Sequence, residues 1–301
     1  MNRISNLEEM TALVKGREIR TLAVAAGHDP ATIEAAARAA REGICRVALV
    51  ADPAKVEALC LEKGIDRDLF HVEAQPDEKK AAARAVEMVR SGEAQVLMKG
   101  LLGTEKYMRA ILDKEKGLLP KGALLTHLAV MEVPAYPKLL FVSDVAVIPA
   151  PTLEQKVKIL SYAAGAARKF GIDRPKAAVI SATEKVSSAM PSTMDGAVLA
   201  QMARRGQIGD LEVDGPLALD VALSKDSALV KGIRSPVAGE ADILLFPNIE
   251  AGNAFYKAVT KLAGGRLGAV VAGAAAPCVL TSRADDEETK FLSIVLGCLL
   301  G

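Results

Sequence analysis

At 301 residues the chain is long enough to bury a large core, and its length predicts two domains. Half of the residues are apolar but only 3% are aromatic, as expected for β-branched parallel strands covered by Ala-rich helices. The formal net charge of +1, without a basic stripe, argues against nucleic acid and anionic membrane surfaces as partners.

Four cysteines and three histidines are scattered along the chain, with no paired spacing of the kind found in zinc sites or disulfide frameworks. We therefore expect no metal and a reducing compartment. The N-terminus is polar and of mixed charge, unlike a signal peptide. No apolar run approaches the roughly 20 residues that a membrane span needs. The expectation is a soluble cytoplasmic protein.

Strands and helices alternate from the start of the chain. TLAVAAG (21–27) predicts a strand, and the following helix begins at Asp29-Pro30, a candidate N-cap with proline in the first turn. The same unit recurs at CRVALVAD, FHVEAQ and AQVLMKG, each of which precedes a helical pattern. Parallel strands need such crossovers, so about the first 115 residues predict a doubly wound sheet.

The alternation then breaks. The apolar runs 123–133 and 138–148 are joined only by PAYP, which predicts an antiparallel hairpin. A second α/β series follows, with predicted helices at 152–169, 191–205 and 218–230 and predicted strands at 176–182, 212–217, 242–246 and 268–273. The prediction is an α/β fold of two lobes, residues 1–120 with 270–301 and residues 121–269. The cleft between the lobes is the default site.

The first candidate site segment is LMKGLLGTEKYMRAIL (97–112), where a strand ends and a helix begins. The helix N-terminus, the Thr104 hydroxyl and the cations Lys99 and Arg109 form a set suited to binding phosphate. An ordinary capped helix with two solvated cations explains the same residues equally well.

Two further segments lie in the second series. ISATEKVSSAMPSTMDGAVL (180–199) contains a hydroxyl-rich loop, for which a solvent-exposed turn is the favoured interpretation. KGIRSPVAGEADILLFPNIEAGNAFYK (231–257) contains a tight loop of small residues at Ser235–Gly239. It ends in a strand-to-helix junction, a position where α/β proteins often bind ligands.

The fourth candidate segment is VLTSRADDEETKF (279–291). It places a hydroxyl (Ser282) and a guanidinium (Arg283) directly before four carboxylates at the start of a helix. Acidic residues in a first helical turn complement the helix dipole, which explains the carboxylates but not the Ser-Arg pair.

Several common catalytic motifs are absent from the sequence. It contains no GxxxxGK[ST], no GxGxxG after a strand and no GxSxG. These absences argue against a P-loop ATPase, a standard Rossmann dehydrogenase and a hydrolase nucleophile elbow.

Taken together and in order, MKGLLGTEKYMRAIL, EKVSSAMPSTMDGAVL, DGPLALDVA, SPVAGEADILLFPNIEAGNAFYKAV and LTSRADDEETK resemble the phosphate acetyl/butyryltransferase family over essentially the full chain. EKV…MPST and SRAD…EETK are more similar to the butyryl branch. The resemblance implies direct transfer, acyl-CoA + phosphate ⇌ acyl phosphate + CoA. It also implies an isocitrate/isopropylmalate-dehydrogenase-like fold, a homodimer or higher homo-oligomer, no metal, and no permanently bound cofactor, since coenzyme A enters as substrate.

The resemblance also implies roles for the residues of the last segment. Arg283 would anchor phosphate and Ser282 would hydrogen-bond the reacting group. The acetyltransferase branch has an aspartate base in the following turn, but Thr289 occupies that position here. Glu288 or Asp285 would take its place.

Other roles implied by the resemblance lie outside that segment. Arg109 matches an arginine near the anion site. Asn248, Gly252 and Asn253 would face CoA or the acyl group.

Three alternatives remain open at this point. The enzyme would be a phosphate acetyltransferase if acetyl-CoA is its substrate. More distantly, it would be an NAD-dependent decarboxylating dehydrogenase on the same scaffold. It would be a sensing module if it binds CoA or a nucleotide without catalysis.

Overall fold

The structure is a computed structural model that describes residues 3–282 and 284–301. The helices are α1 Leu7–Lys15, α2 Pro30–Arg41, α3 Pro53–Lys63, α4 Glu78–Ser91, α5 Thr104–Ile111, α6 Leu153–Lys169, α7 Pro191–Arg204, α8 Leu219–Leu223, α9 Lys225–Val230, α10 Ile249–Leu262 and α11 Glu287–Leu300. The strands are β1 Arg20–Ala25, β2 Cys45–Ala51, β3 Phe70–Ala74, β4 Val96–Lys99, β5 Thr126–Glu132, β6 Leu140–Ser143, β7 Lys176–Ile180, β8 Glu212–Leu217, β9 Ile243–Leu245, β10 Arg266–Ala272 and β11 Cys278–Val279. The predicted α/β class is confirmed.

The described chain divides into two compact units. The first unit comprises Leu7–Leu125 and the described part of Leu267–Gly301, and the second comprises residues 3–6 and Thr126–Arg266. Within the described residues, none of the helices combines the length and apolar composition that a membrane span requires.

The first unit contains the predicted doubly wound sheet, with strand order β3-β2-β1-β4-β11-β10. Strands β1 to β4 and β11 pair in parallel, and β10 pairs antiparallel with β11. The buried alanines Ala35, Ala36 and Ala39 of α2 let that helix pack closely in the core. The predicted N-cap of α2 is confirmed, since the Asp29 side chain accepts a hydrogen bond from Thr32 N.

The second unit begins with the predicted hairpin, because β5 and β6 pair antiparallel. The remaining strands β9, β7 and β8 extend this sheet in parallel. The predicted strand 138–148 is too long, since β6 ends at Ser143. There the Asp144 carboxylate accepts hydrogen bonds from Ala146 N and Val147 N, which fold the chain into a turn.

The predicted helix 218–230 is also wrong in detail. It divides into α8 and α9 at Ser224, whose backbone is extended (φ −129°, ψ 122°). The Ser224 hydroxyl accepts a hydrogen bond from Ser227 N and thereby caps a new helix. Local capping by a serine side chain competes here with continuation of the helix.

Candidate active site

Strands β4 and β11 bring the first and fourth candidate segments together. The two strands are parallel neighbours, with Val279 opposite Met98. Their carboxyl ends therefore lie at the same edge of the sheet, where open α/β sheets bind ligands. The loop after Lys99 and the segment that contains Ser282 both begin at this edge.

The segment after β11 forms a tight turn. Ser282 N donates to Asp285 Oδ2 at 2.7 Å, and Asp285 N donates to Ser282 O at 3.2 Å. Ala284 N donates to the Ser282 hydroxyl oxygen at 3.3 Å. Ser282 is exposed and Asp285 is half-buried. Arg283, a predicted phosphate anchor, lies outside the described residues. The turn thus presents a hydroxyl and a carboxylate at the edge of the sheet.

The two glutamates at the start of α11 are held by Arg38 of α2. The Arg38 guanidinium bonds the Glu288 carboxylate, lies 3.4 Å from Glu287 Oε2, and stacks over the Phe291 ring at 3.8 Å. Burial raises the pKa of Glu287 above its ordinary value, which the Arg38 charge partly offsets. Of the two candidate bases, Glu288 is therefore engaged by a cation, whereas Asp285 contacts the turn of Ser282.

The three predicted phosphate-binding side chains of the first segment differ in their exposure to solvent. Lys99 is buried, and its ammonium donates to Gly100 O at 3.1 Å and Leu102 O at 3.3 Å within its own loop. Thr104 is exposed at the first position of α5. Arg109 is 71% exposed and forms a 2.5 Å ion pair with Glu105, one turn before it in the helix. Thr104 and Arg109 are therefore accessible to a ligand, whereas the Lys99 ammonium stabilises its own loop.

Tyr107, which was not among the predicted site residues, anchors α5 at this edge. Its side chain is fully buried, and its hydroxyl donates to Val279 O at 3.1 Å. Burial raises the pKa of the Tyr107 phenol well above its usual value. Tyr107 therefore ties the helix after β4 to strand β11. The available sequence signal was the spacing of Tyr107 and Ile111, four residues apart on one face of the helix.

Two predicted site residues of the second unit, Ser235 and Asn248, accept hydrogen bonds from nearby backbone N–H groups. The Ser235 hydroxyl accepts from Val237 N at 3.1 Å and Ala238 N at 3.3 Å. Asn248 caps α10 by accepting from Ala251 N at 2.9 Å. These two side chains therefore shape the loops at which they lie.

Gly252 and Asn253 attach α10 to the segment that follows β6. Asn253 Nδ2 donates to Val145 O at 3.0 Å, and a Cβ on Gly252 would lie 2.3 Å from Asp144 O. Asp144, which was not among the predicted site residues, is 2% exposed and accepts hydrogen bonds from Thr126 Oγ1 and His127 N. An aspartate directly after a buried strand was the available signal.

We expect Gly252→Ala to destabilise the protein, because the added methyl group would overlap the backbone carbonyl of Asp144. The Asp144 side chain accepts four hydrogen bonds, which hold this carbonyl in place. Overpacking of this kind costs about 1–3 kcal/mol. The matched control is Gly165→Ala at an exposed position of α6, where a Cβ meets no atom within 4 Å. Removing a helix-interior glycine should stabilise the protein by about 0.5–1 kcal/mol. Urea unfolding measures both changes, and equal effects would contradict the close contact at Gly252.

The cysteines offer no nucleophile at this edge. All four are buried, and burial raises the pKa of Cys278 to about 12. A thiol with so high a pKa is not ionised at neutral pH. Among residues 3–282 and 284–301, no three His, Cys, Asp or Glu side chains cluster in a way that would hold a metal ion.

The chain is similar to phosphate acyltransferases over nearly its whole length. Residues 72–298 match the family described as "Phosphate acetyl/butaryl transferase". The phosphate butyryltransferase of Clostridium acetobutylicum is 43% identical over 297 residues, which cover 99% of this chain and 98% of that protein. The phosphate acetyltransferase of Thermotoga maritima is 42% identical over 294 residues, 97% of this chain and 99% of that protein.

Solved structures extend the likeness to the fold. A branched-chain phosphotransacylase from Enterococcus faecalis superposes with a TM-score of 0.84 at 31% identity, covering 94% of this chain and 99% of that one. A 4-hydroxythreonine-4-phosphate dehydrogenase from Salmonella typhimurium superposes with a TM-score of 0.61 at 11% identity, covering 94% and 100%. The second likeness concerns the fold alone.

Proposed function

The chain belongs to the phosphate acetyl/butyryl transferase family, and from this premise we propose that it catalyses acyl-CoA + phosphate ⇌ acyl phosphate + CoA with butyryl-CoA as its best substrate. The observation that carries the proposal is the 43% identity with a phosphate butyryltransferase over 99% of the chain. The exposed Ser282 turn at the carboxyl edge of β4 and β11 supplies a place for the chemistry.

In the direction of acyl phosphate synthesis, a phosphate oxygen attacks the thioester carbonyl carbon. The C–O bond forms, the C–S bond breaks, and CoA leaves as a thiolate that takes up a proton. Phosphate is a poor nucleophile unless it is held and aligned, and a guanidinium provides two parallel hydrogen bonds for that purpose. We assign the alignment to Arg283 and a hydrogen bond to the reacting group to Ser282.

In the reverse direction the CoA thiol loses its proton and attacks the acyl phosphate carbonyl, and inorganic phosphate leaves. A free thiol has a pKa of about 8.5, so a carboxylate base assists this step at neutral pH. We assign the base to Asp285, because its carboxylate is bonded to the Ser282 turn whereas Glu288 is paired with Arg38. The exposed Thr104 and Arg109 are proposed as further phosphate or CoA contacts.

Several more detailed predictions from the sequence stay predictions. They are the isocitrate/isopropylmalate-dehydrogenase-like type of the fold, the lobes as functional domains, a cytoplasmic location, a homodimer or larger homo-oligomer, and ligand contacts of Lys99, Ser235, Asn248, Gly252 and Asn253. An acetyl substrate is the second candidate, since a phosphate acetyltransferase is 42% identical to the chain.

Thiol release from acyl-CoA esters of two to five carbons, with and without phosphate, tests the proposed reaction. We expect CoA release only with phosphate and the highest kcat/KM for butyryl-CoA. A methylene changes pocket binding by about 1–3 kcal/mol, so acetyl-CoA, two carbons shorter, should be at least about tenfold poorer. Potassium chloride at equal ionic strength is the control. Release without phosphate would contradict the transferase reaction, and a preference for acetyl-CoA would contradict only the chain length.

A further inference from the structure

Lys290 is a buried cation directly behind the candidate catalytic turn. It is the fourth residue of α11 and is only 3% exposed. Lysine is almost never this deeply buried unless it is paired. Its ammonium donates to Thr281 Oγ1 at 3.3 Å and to Ser282 O at 3.2 Å. Both acceptors are neutral oxygens that lie at or next to the predicted catalytic serine.

Among the residues that the structure describes, the Lys290 ammonium is bonded to neutral oxygens. No carboxylate oxygen of these described residues lies within 4.0 Å of its ammonium nitrogen. The buried Lys156 of the second unit differs in this respect, because its ammonium lies 2.6 Å from Asp195 Oδ2. A buried charge without a counter-charge is costly, and most proteins avoid it.

The position within the helix adds to that cost. Lys290 lies in the first turns of α11, where the positive end of the helix dipole disfavours a cation. The two glutamates of this turn, Glu287 and Glu288, lie against Arg38 of α2. Folding alone therefore gives little reason for a lysine here. An anionic substrate at the adjacent turn supplies one.

We propose that Lys290 is a positioning residue of the phosphate site: it fixes the Thr281–Ser282 backbone and provides a positive charge that favours inorganic phosphate at the turn. This inference rests on the proposed function. Ser282 O accepts from both Lys290 and Asp285 N, so the lysine holds the same carbonyl that closes the turn. In the low dielectric of the interior, a fixed cation acts on a nearby anion more strongly than a solvated one.

The test compares Lys290→Met with Lys290→Arg in steady-state kinetics. We expect the methionine variant to raise KM for phosphate by about tenfold or more while KM for butyryl-CoA changes less than about twofold. Arginine keeps the charge and should restore most of the phosphate affinity. The thermal midpoint of Lys290→Met should change little, because the cost of burying the cation disappears together with the two hydrogen bonds that it donates. Unchanged KM for phosphate would overturn the proposal.

Lys156→Met is the matched control, because it also removes a buried lysine. It leaves Asp195 without its partner, so its thermal midpoint should fall while KM for phosphate stays at the wild-type value. A merely structural role for Lys290 predicts the same pattern for both variants. If Lys290→Met does not fold, Lys290→Gln keeps a hydrogen-bond donor without the charge. Failure of both to fold would overturn the proposal in favour of a structural role.

A binding measurement separates this proposal from the proposed reaction. Inorganic phosphate should raise the thermal midpoint of the wild type and have much less effect on Lys290→Met. A wild type without phosphate-dependent CoA release would refute the reaction, whatever Lys290 does. An active wild type with an equal phosphate-induced shift in Lys290→Met would refute only the role of Lys290.

Discussion

Arg283→Ala is expected to lower kcat/KM for phosphate-dependent CoA release at least about 100-fold, which is typical for loss of a group that binds the developing charge. Alanine removes both the charge and the two parallel hydrogen bonds that align the attacking phosphate. Lysine at the same position keeps the charge but not the planar pair of donors, so Arg283→Lys should be intermediate. Thiol release with butyryl-CoA at varied phosphate concentration measures all three proteins.

Arg90→Ala is the control for the loss of an arginine. The Arg90 guanidinium is exposed and donates to Glu115 O, on the surface of the same unit. This variant should keep wild-type kinetics. Added guanidinium chloride at low concentration should recover part of the activity of Arg283→Ala and none in the control. Activity of Arg283→Ala within about threefold of the wild type would remove Arg283 from the site, since a bound charged hydrogen bond contributes more than that.

Local chemistry explains why much of the fold is predictable from the sequence. The β-branched and alanine-rich runs of β1 and β2 are buried in a parallel sheet, as their composition requires. Asp29 and Asp52 cap the helices that they precede, because a cap depends only on residues two or three positions away. The hairpin β5–β6 follows from a connection too short for a crossover.

The same local chemistry explains the errors. Ser224 and Asp144 lie within stretches that read as a continuous helix and a continuous strand. In each case the side chain bonds nearby backbone N–H groups and ends the element. Composition alone does not decide between such a bond and continuation of the helix or strand, because each hydrogen bond contributes a similar net free energy of about 0.5–1.5 kcal/mol.

The residues of the candidate site could be proposed from the sequence, but the partners of those residues could not. The pattern SRADDEETK predicts a helix with an acidic first turn after a Ser-Arg pair. It does not predict that Arg38 binds Glu288, because the two residues are 250 positions apart. Tyr107 and Val279 are 172 residues apart. The burial of Lys290 likewise depends on the packing of α11. Such pairings follow from the sheet order, which brings β4 and β11 together, and not from any local pattern.

Asp285→Asn is expected to slow the reaction of butyryl phosphate with CoA by about 100-fold or more, the usual effect of losing a general base. The amide keeps the size of the side chain and can still accept from Ser282 N, so the turn should persist. The loss should be smaller at high pH, where the CoA thiol, with a pKa of about 8.5, ionises without assistance. Initial rates from neutral to alkaline pH measure both effects.

Glu288→Gln is the matched comparison, because it makes the same chemical change three residues further along. Glu288 is bonded to Arg38, so its loss weakens the contact between α2 and α11 and should lower the thermal midpoint. It should not alter the slope of rate against pH. The reverse pattern, a pH-dependent loss in Glu288→Gln and none in Asp285→Asn, would make Glu288 the base.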